Sequence, residues 1–223
     1  MTPASGLTVG VVPLEGRGSL PFVDLHREAL FLHAVRSLLD VDQVGGHVVV
    51  TVDSGQRDAA VTALERADVL ALVQDARTWW RNVVGPVTVV LHDPLCPLVP
   101  ASFIAAFLDG TAADGRDLVA FRPVTDTIKT VVEDHIADTL DRDLFGIVAS
   151  PVVFHHPGAV GAVGRGDLAM PPTDDFGALA TWLRARGTVL MRKAPSLGRR
   201  VDDASAVNLL ECMDELSRTV RET

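Results

Sequence analysis

The chain has 223 residues, 29 of them acidic and 20 basic, for a net charge of −9. That balance excludes a general nucleic-acid binder, which needs a basic face to release counterions. Apolar residues make up 48% of the chain, yet none of their runs reaches the roughly 18–20 positions of a membrane span. Cys96 and Cys212 give neither a disulfide framework nor zinc-ligand spacing, and Met1–Gly10 carries no signal-peptide pattern, so a reduced cytoplasm fits.

In chain order, Leu7–Pro13 is a continuous apolar run between Gly6 and Pro13 and predicts a buried strand. Arg27–Asp40 predicts a helix, with Leu30, Ala34 and Leu38 on one face. Gly45-Gly46 breaks the chain before a second strand, His47–Val52, and a helix over Gln56–Ala67. Val69–Val73 and Pro86–His92 predict further strands. Pro100 opens a helix that continues through Ala101–Leu108. Leu118–Val124 is a strand, Thr127–Glu133 an alternating and more exposed one outside the main core, and Leu144–Val153 is again extended. Gly158–Pro172 is rich in Gly and Pro and predicts a mobile loop. Thr173-Asp174-Asp175 supplies an N-cap for a helix over Phe176–Arg186. Thr188–Arg192 is a last strand, and Asp203–Val220 a last helix with Val207, Leu210, Met213, Leu216 and Val220 on one face. This alternation predicts one α/β domain spanning residues 1–223, a mostly parallel sheet covered on both faces. Ligands of such sheets sit beyond the carboxyl ends of the strands, which directs attention to the residues after Pro13, Leu91 and Val124.

Glu15-Gly16-Arg17-Gly18-Ser19 follows the first strand and is a candidate phosphate loop through backbone N–H groups. Pro21 stands where a dinucleotide fingerprint needs its third Gly, and an ordinary strand-to-helix turn is the favoured reading of the loop. Asp93 ends the strongest strand. It suits either a Mg²⁺ site, since hard cations prefer carboxylate oxygens, or a turn before Pro94. Lys129 and Arg142 flank an arm-like segment, and Arg192, Lys193, Arg199 and Arg200 form a basic cluster in an acidic chain. Trp79-Trp80 reads as hydrophobic packing, and His155-His156 lacks partners at zinc spacing.

Four blocks in register resemble the 2-C-methyl-D-erythritol 4-phosphate cytidylyltransferase family. They are Leu91-His92-Asp93, Pro123-Val124-Thr125-Asp126-Thr127-Ile128-Lys129, Thr139-Leu140-Asp141-Arg142 and Thr173-Asp174-Asp175. Phe22–Leu39 also looks like the family's first helix region, so the resemblance runs from about Val9 to Leu216. It implies a three-layer, Rossmann-like nucleotidyltransferase fold. The sheet would be mixed and mostly parallel, and an extended β-arm at about residues 125–145 would clasp a second subunit. It implies a reaction joining CTP to methylerythritol phosphate with release of pyrophosphate, a step of isoprenoid synthesis, with Mg²⁺ as cofactor. Carried over by position, Asp93 would hold the metal, and Arg17, Lys129 and Arg142 would be catalytic, Arg142 reaching into the partner's site. Gly16, Gly18, Ser150, Asp174, Asp175, Arg199 and Arg200 would line the nucleotide and substrate pocket.

The departures are as informative. The family's first loop reads Ala-Ala-Gly-x-Gly-x-Arg, followed by Pro-Lys. Here the loop is shorter, carries Glu15, and has Leu20 or Phe22 where the Lys belongs. The Gly-Gly-x-x-Arg-x-x-Ser block falls on residues 75–82 without a match, and the Arg of His-Asp-Ala-Ala-Arg is lost at Cys96. Gln-Thr-Pro-Gln has become Ala149-Ser150-Pro151-Val152. Removing one preorganised transition-state donor costs about 10²–10³ in rate, so these losses predict a weak or inactive family member. The alternatives are an active enzyme with a rearranged loop, a non-catalytic dimeric paralogue, or a transferase for another nucleotide or sugar phosphate. The shape of Pro13–Phe22 bears on the choice, since an open cradle of N–H groups favours activity and a collapsed turn does not.

Overall fold

The computed structural model describes residues 6–112, 116–157 and 170–221. Among them, β1 (Leu7–Pro13), β4 (Val48–Val52), β5 (Leu72–Asp75), β6 (Val87–Leu91), β7 (Asp117–Pro123), β10 (Gly146–His156) and β11 (Val189–Lys193) form one sheet, ordered β11-β7-β10-β6-β1-β4-β5. β1 runs parallel to β4 and β6, and β11 parallel to β7. β10 runs antiparallel to both β6 and β7, which makes the sheet mixed. The central strands are continuous apolar runs because helices cover both of their faces, leaving no side for polar alternation.

One face of the sheet carries α1 (Leu30–Leu39), α2 (Arg57–Arg66) and α4 (Ala101–Ala112). Their Phe31, Val35, Leu38, Leu64, Ile104 and Phe107 are buried. The other face carries α3 (Ala76–Asn82) and α5 (Phe176–Arg186), burying Trp79, Trp80, Leu179 and Leu183. Each such side chain contributes about 1.5–3 kcal/mol on burial. α1 lies so close to β1 that a Cβ at Gly10 would come within 3.0 Å of Leu38 Cδ1. The expected three layers and mostly parallel sheet are therefore present, and Trp79-Trp80 is core packing.

Several element boundaries differ from the sequence reading. Arg27–Ala29 is not helical: β2 (Asp24–Leu25) and β3 (Glu28–Ala29) form a short hairpin, and α1 begins only at Leu30. The turn residues His26 and Arg27 have φ of 51° and 67°, a region that costs a non-Gly residue roughly 1–2 kcal/mol. The last helix, α6 (Ala204–Arg221), holds the turn in place. The His26 N–H donates to Glu211 Oε1 at 2.8 Å, and its ring nitrogens lie 3.1 Å from Glu211 and Asp214. This docking also sets which face of α6 is buried. Val207, Leu210 and Asp214 face inward, whereas Leu216 is 67% exposed, contrary to the apolar face read from spacing. The strand expected at Val69–Val73 begins at Leu72, because the Val69 N–H still caps α2 by donating to Leu64 O at 3.0 Å.

β8 (Ile128–Val132) pairs antiparallel with β9 (His135–Leu140) as a separate two-stranded sheet. This hairpin lies where the arm is expected, at about residues 125–145. Of the loop expected at Gly158–Pro172, residues 158–169 lie outside the described ones. No helix among the described residues is long and apolar enough to cross a membrane.

Candidate active site

The parallel register sets the ends of β1 and β6 side by side. The His92 N–H donates to Val11 O at 2.8 Å, and the Leu14 N–H to Thr51 O at 2.8 Å. Residues 14–19, 92–95 and the end of β4 thus meet at one edge of the sheet, the position where ligands of open α/β sheets bind.

Asp93 is the centre of this edge. Its Oδ1 accepts from Arg17 Nε at 2.9 Å and from the Leu95 N–H at 3.1 Å, and its Oδ2 accepts from Arg200 Nε at 3.0 Å. The side chains of Arg17 and Asp93 are each only 2% exposed, whereas that of Arg200 is 38% exposed. Arg17 also donates to the carbonyl oxygens of Glu15 and Thr173, both at 2.9 Å. Arg200 continues outward to the Asp202 carboxylate. Burial works against the Arg200 charge, but Asp93 outweighs it and raises the guanidinium's pKa above its usual value.

Behind Asp93 lies a polar pair. Ser150 Oγ accepts from the Asp93 N–H at 3.0 Å and sits 2.5 Å from His92 Nδ1. The register of β10 against β7 shifts between Ala149 and Val152, and such irregularities re-aim side chains. Among the described residues, His92 Nε2 is buried without a hydrogen-bond partner. Burial depresses the His92 pKa to about 4 despite the opposing pull of Asp93. Burial also pushes the Cys96 thiol well above its usual range.

The first loop folds back on itself through part of its backbone. The N–H groups of Arg17, Leu20 and Phe22 donate to Leu14 O, Arg17 O and Ser19 O within the loop. Gln56 Nε2 fastens it by donating to Leu14 O at 2.9 Å and Gly18 O at 3.0 Å. Gly16 has φ of 74°, and a Cβ there would come within 2.6 Å of Asp174 Cβ. The Glu15 carboxylate accepts from Thr51 Oγ1, at 3.0 and 3.2 Å to its two oxygens, and from the Thr173 hydroxyl.

Of the residues singled out in the sequence, the fold brings together Gly16, Arg17, Gly18, Asp93, Ser150, Asp174 and Arg200. Asp175 instead caps α5, accepting from the Gly177 and Ala178 N–H groups at 2.7 and 3.0 Å. Arg199 points to an exposed surface. Lys129 contacts Thr139, and Arg142 contacts Thr125 and Asp143, all on the arm. Thr51 and Gln56 escaped the sequence reading. Their only signal is a polar residue at the carboxyl end of a neighbouring strand and at the start of the helix after it.

The Mg²⁺ implied by the resemblance does not fit this arrangement. Each Asp93 oxygen already faces a guanidinium, Oδ1 that of Arg17 and Oδ2 that of Arg200, so the carboxylate has no free oxygen for the ion.

Residues 15–183, well over half of the chain, match the family model described as 2-C-methyl-D-erythritol 4-phosphate cytidylyltransferase. A cytidylyltransferase of that name from Bordetella parapertussis is 26% identical over 175 residues, covering 69% of this chain and 71% of its own. The bifunctional enzyme IspD/IspF of Novosphingobium aromaticivorans is 28% identical over 172 residues, covering 71% of this chain but only 43% of its own. Among solved structures, the Thermus thermophilus cytidylyltransferase superposes with a TM-score of 0.68 at 17% identity, covering 93% of this chain and 98% of its own. A CMP:2-keto-3-deoxy-manno-octonic acid synthetase complexed with CTP gives 0.65 at 12%, covering 95% and 100%. At these identities the structural likeness establishes the fold.

Proposed function

Since the chain belongs to the 2-C-methyl-D-erythritol 4-phosphate cytidylyltransferase family, we propose that it keeps this family's cleft in a closed form that transfers cytidylyl groups from CTP to methylerythritol phosphate slowly or not at all. The observation that carries this reading is the fastening of Asp93. Both of its oxygens are held by Arg17 and Arg200, and the Arg17 side chain is as buried as its own. A cation that already neutralises a buried carboxylate is not free to neutralise a triphosphate. Of the first loop's amides, those of Arg17, Leu20 and Phe22 are spent inside the turn. Nucleotidyl transfer depends on preorganised charge at the leaving pyrophosphate, and the loss of one such donor costs about 10²–10³ in rate.

Pyrophosphate release from CTP, methylerythritol phosphate and Mg²⁺ tests the reading. Against an ordinary enzyme turnover of about 10 s⁻¹, the expected value is below about 0.01 s⁻¹. A turnover near about 1 s⁻¹ or higher overturns it.

A second reading rests on Arg200. Its half-exposed side chain reaches from Asp93 to the surface carboxylate of Asp202, so it could turn toward another nucleotide or sugar phosphate. A rise in melting temperature with one member of a nucleotide panel would favour this reading, because a ligand bound only by the native state stabilises it. The arm has its own role in the proposal. Val131, Val132 and Ile136 are exposed on the β8–β9 hairpin, and a second copy of the chain covering them makes the protein a homodimer.

A further inference from the structure

Thr51 at the end of β4 and Thr173 before α5 are both fully buried. Their hydroxyls converge on one point, the Glu15 carboxylate. Two hydroxyl donors, one at a strand end and one in a loop distant in sequence, converging on one anion are the chemistry of an oxyanion site. Here the anion is part of the chain. The surrounding charges sharpen this picture. Arg17 donates to Thr173 O and to the backbone carbonyl of Glu15, but its Nε is committed to Asp93. Arg200 is committed to Asp93 and Asp202. Asp174 lies against Gly16 and adds a further negative charge. No cation in this set is left to offset Glu15.

We infer that Glu15 is a specificity-determining residue, occupying the Thr51 and Thr173 hydroxyls so that inorganic oxyanions and polyphosphates are kept out of the first loop. The inference rests on the closed-cleft reading above and assigns that closure to one side chain. A polyphosphate entering here would displace the carboxylate from both hydroxyls and sit within a few ångströms of a like charge. At an effective dielectric of about 20, that repulsion alone is worth more than a factor of ten in affinity.

Calorimetric titration with inorganic pyrophosphate, with no metal added, tests the assignment on the whole 223-residue chain. Glu15→Gln removes the charge and keeps the shape, and Glu15→Ala removes the side chain. At least one folded variant is expected to bind pyrophosphate about tenfold or more tightly than the wild type. Adding Thr51→Val to that variant should abolish most of the gain. Affinities within twofold of wild type in every folded variant, or low-micromolar binding by the wild type itself, overturn the inference. So does a gain that survives Thr51→Val. Pyrophosphate release by the wild type is scored separately. Slow release with no gain in the variants rejects the role of Glu15 alone, whereas fast release rejects the closed-cleft reading.

Discussion

The cleft around Asp93 and the β8–β9 arm answer opposite demands on the same chain. In the cleft, charged groups are buried and every described oxygen of Asp93 has a donor. On the arm, apolar side chains stand in solvent, with Ile136 70% exposed. Buried charge is tolerated only when paired and hydrogen-bonded. Exposed apolar surface becomes favourable only when something covers it. The charges of the cleft are thus paired within the chain, while the arm's apolar side chains stand uncovered among the described residues.

The sharpest test of this contrast removes the centre of the cleft. Asp93→Ala leaves the Arg17 guanidinium buried without its carboxylate, and breaking such a pair costs about 3–5 kcal/mol. Urea unfolding should show a midpoint lowered accordingly with an unchanged slope. A loss below about 1 kcal/mol would mean that the pair is far more hydrated than its burial indicates.

Acid provides a second, smaller test. Burial holds His92 neutral, with its pKa depressed to about 4, while in the unfolded chain a histidine titrates near 6.5. The folded state therefore favours the neutral base. Its contribution is present above about pH 6.5 and is lost as pH falls toward 4. Over that window the loss amounts to roughly 3 kcal/mol. The decline should flatten in His92→Asn, so identical pH–stability curves for the two proteins would reject the account.

The arm should behave the other way. Ile136→Asp changes an exposed position, so the stability of the single chain should move by no more than about 0.5 kcal/mol. Light scattering should nevertheless show dimer replaced by monomer. If the wild type is itself monomeric at high concentration, the arm has no partner of its own kind. If Ile136→Asp destabilises as much as Asp93→Ala, the contrast between the two regions fails.

The legible parts of the molecule were those governed by local pattern. The apolar runs of β1, β4 and β6 identified central strands, and the exposed alternation at Thr127–Glu133 identified a strand outside the main core. Misreadings arose where a distant residue overrode that pattern. Leu30, Ala34 and Leu38 did lie on one helical face, but nothing nearby in sequence announces the hairpin at His26. That turn depends on Glu211 and Asp214, about 185 positions away. The buried Asp214 likewise takes a place on α6 that spacing alone gave to apolar residues.

By itself, the sequence determined the order of the main-sheet strands and of helices α1, α2, α4, α5 and α6, the family, and the presence of Glu15 and Arg17 where the family pattern differs. Those follow from periodicity and residue identity, which are local properties. Only the tertiary structure decided what these residues do. Arg17 lies 76 positions from Asp93, and Glu15 lies 158 from Thr173. A charge in a sequence has no fixed partner until the sheet register brings strand ends together. Here the register gave Asp93 two arginines and gave Glu15 two hydroxyls.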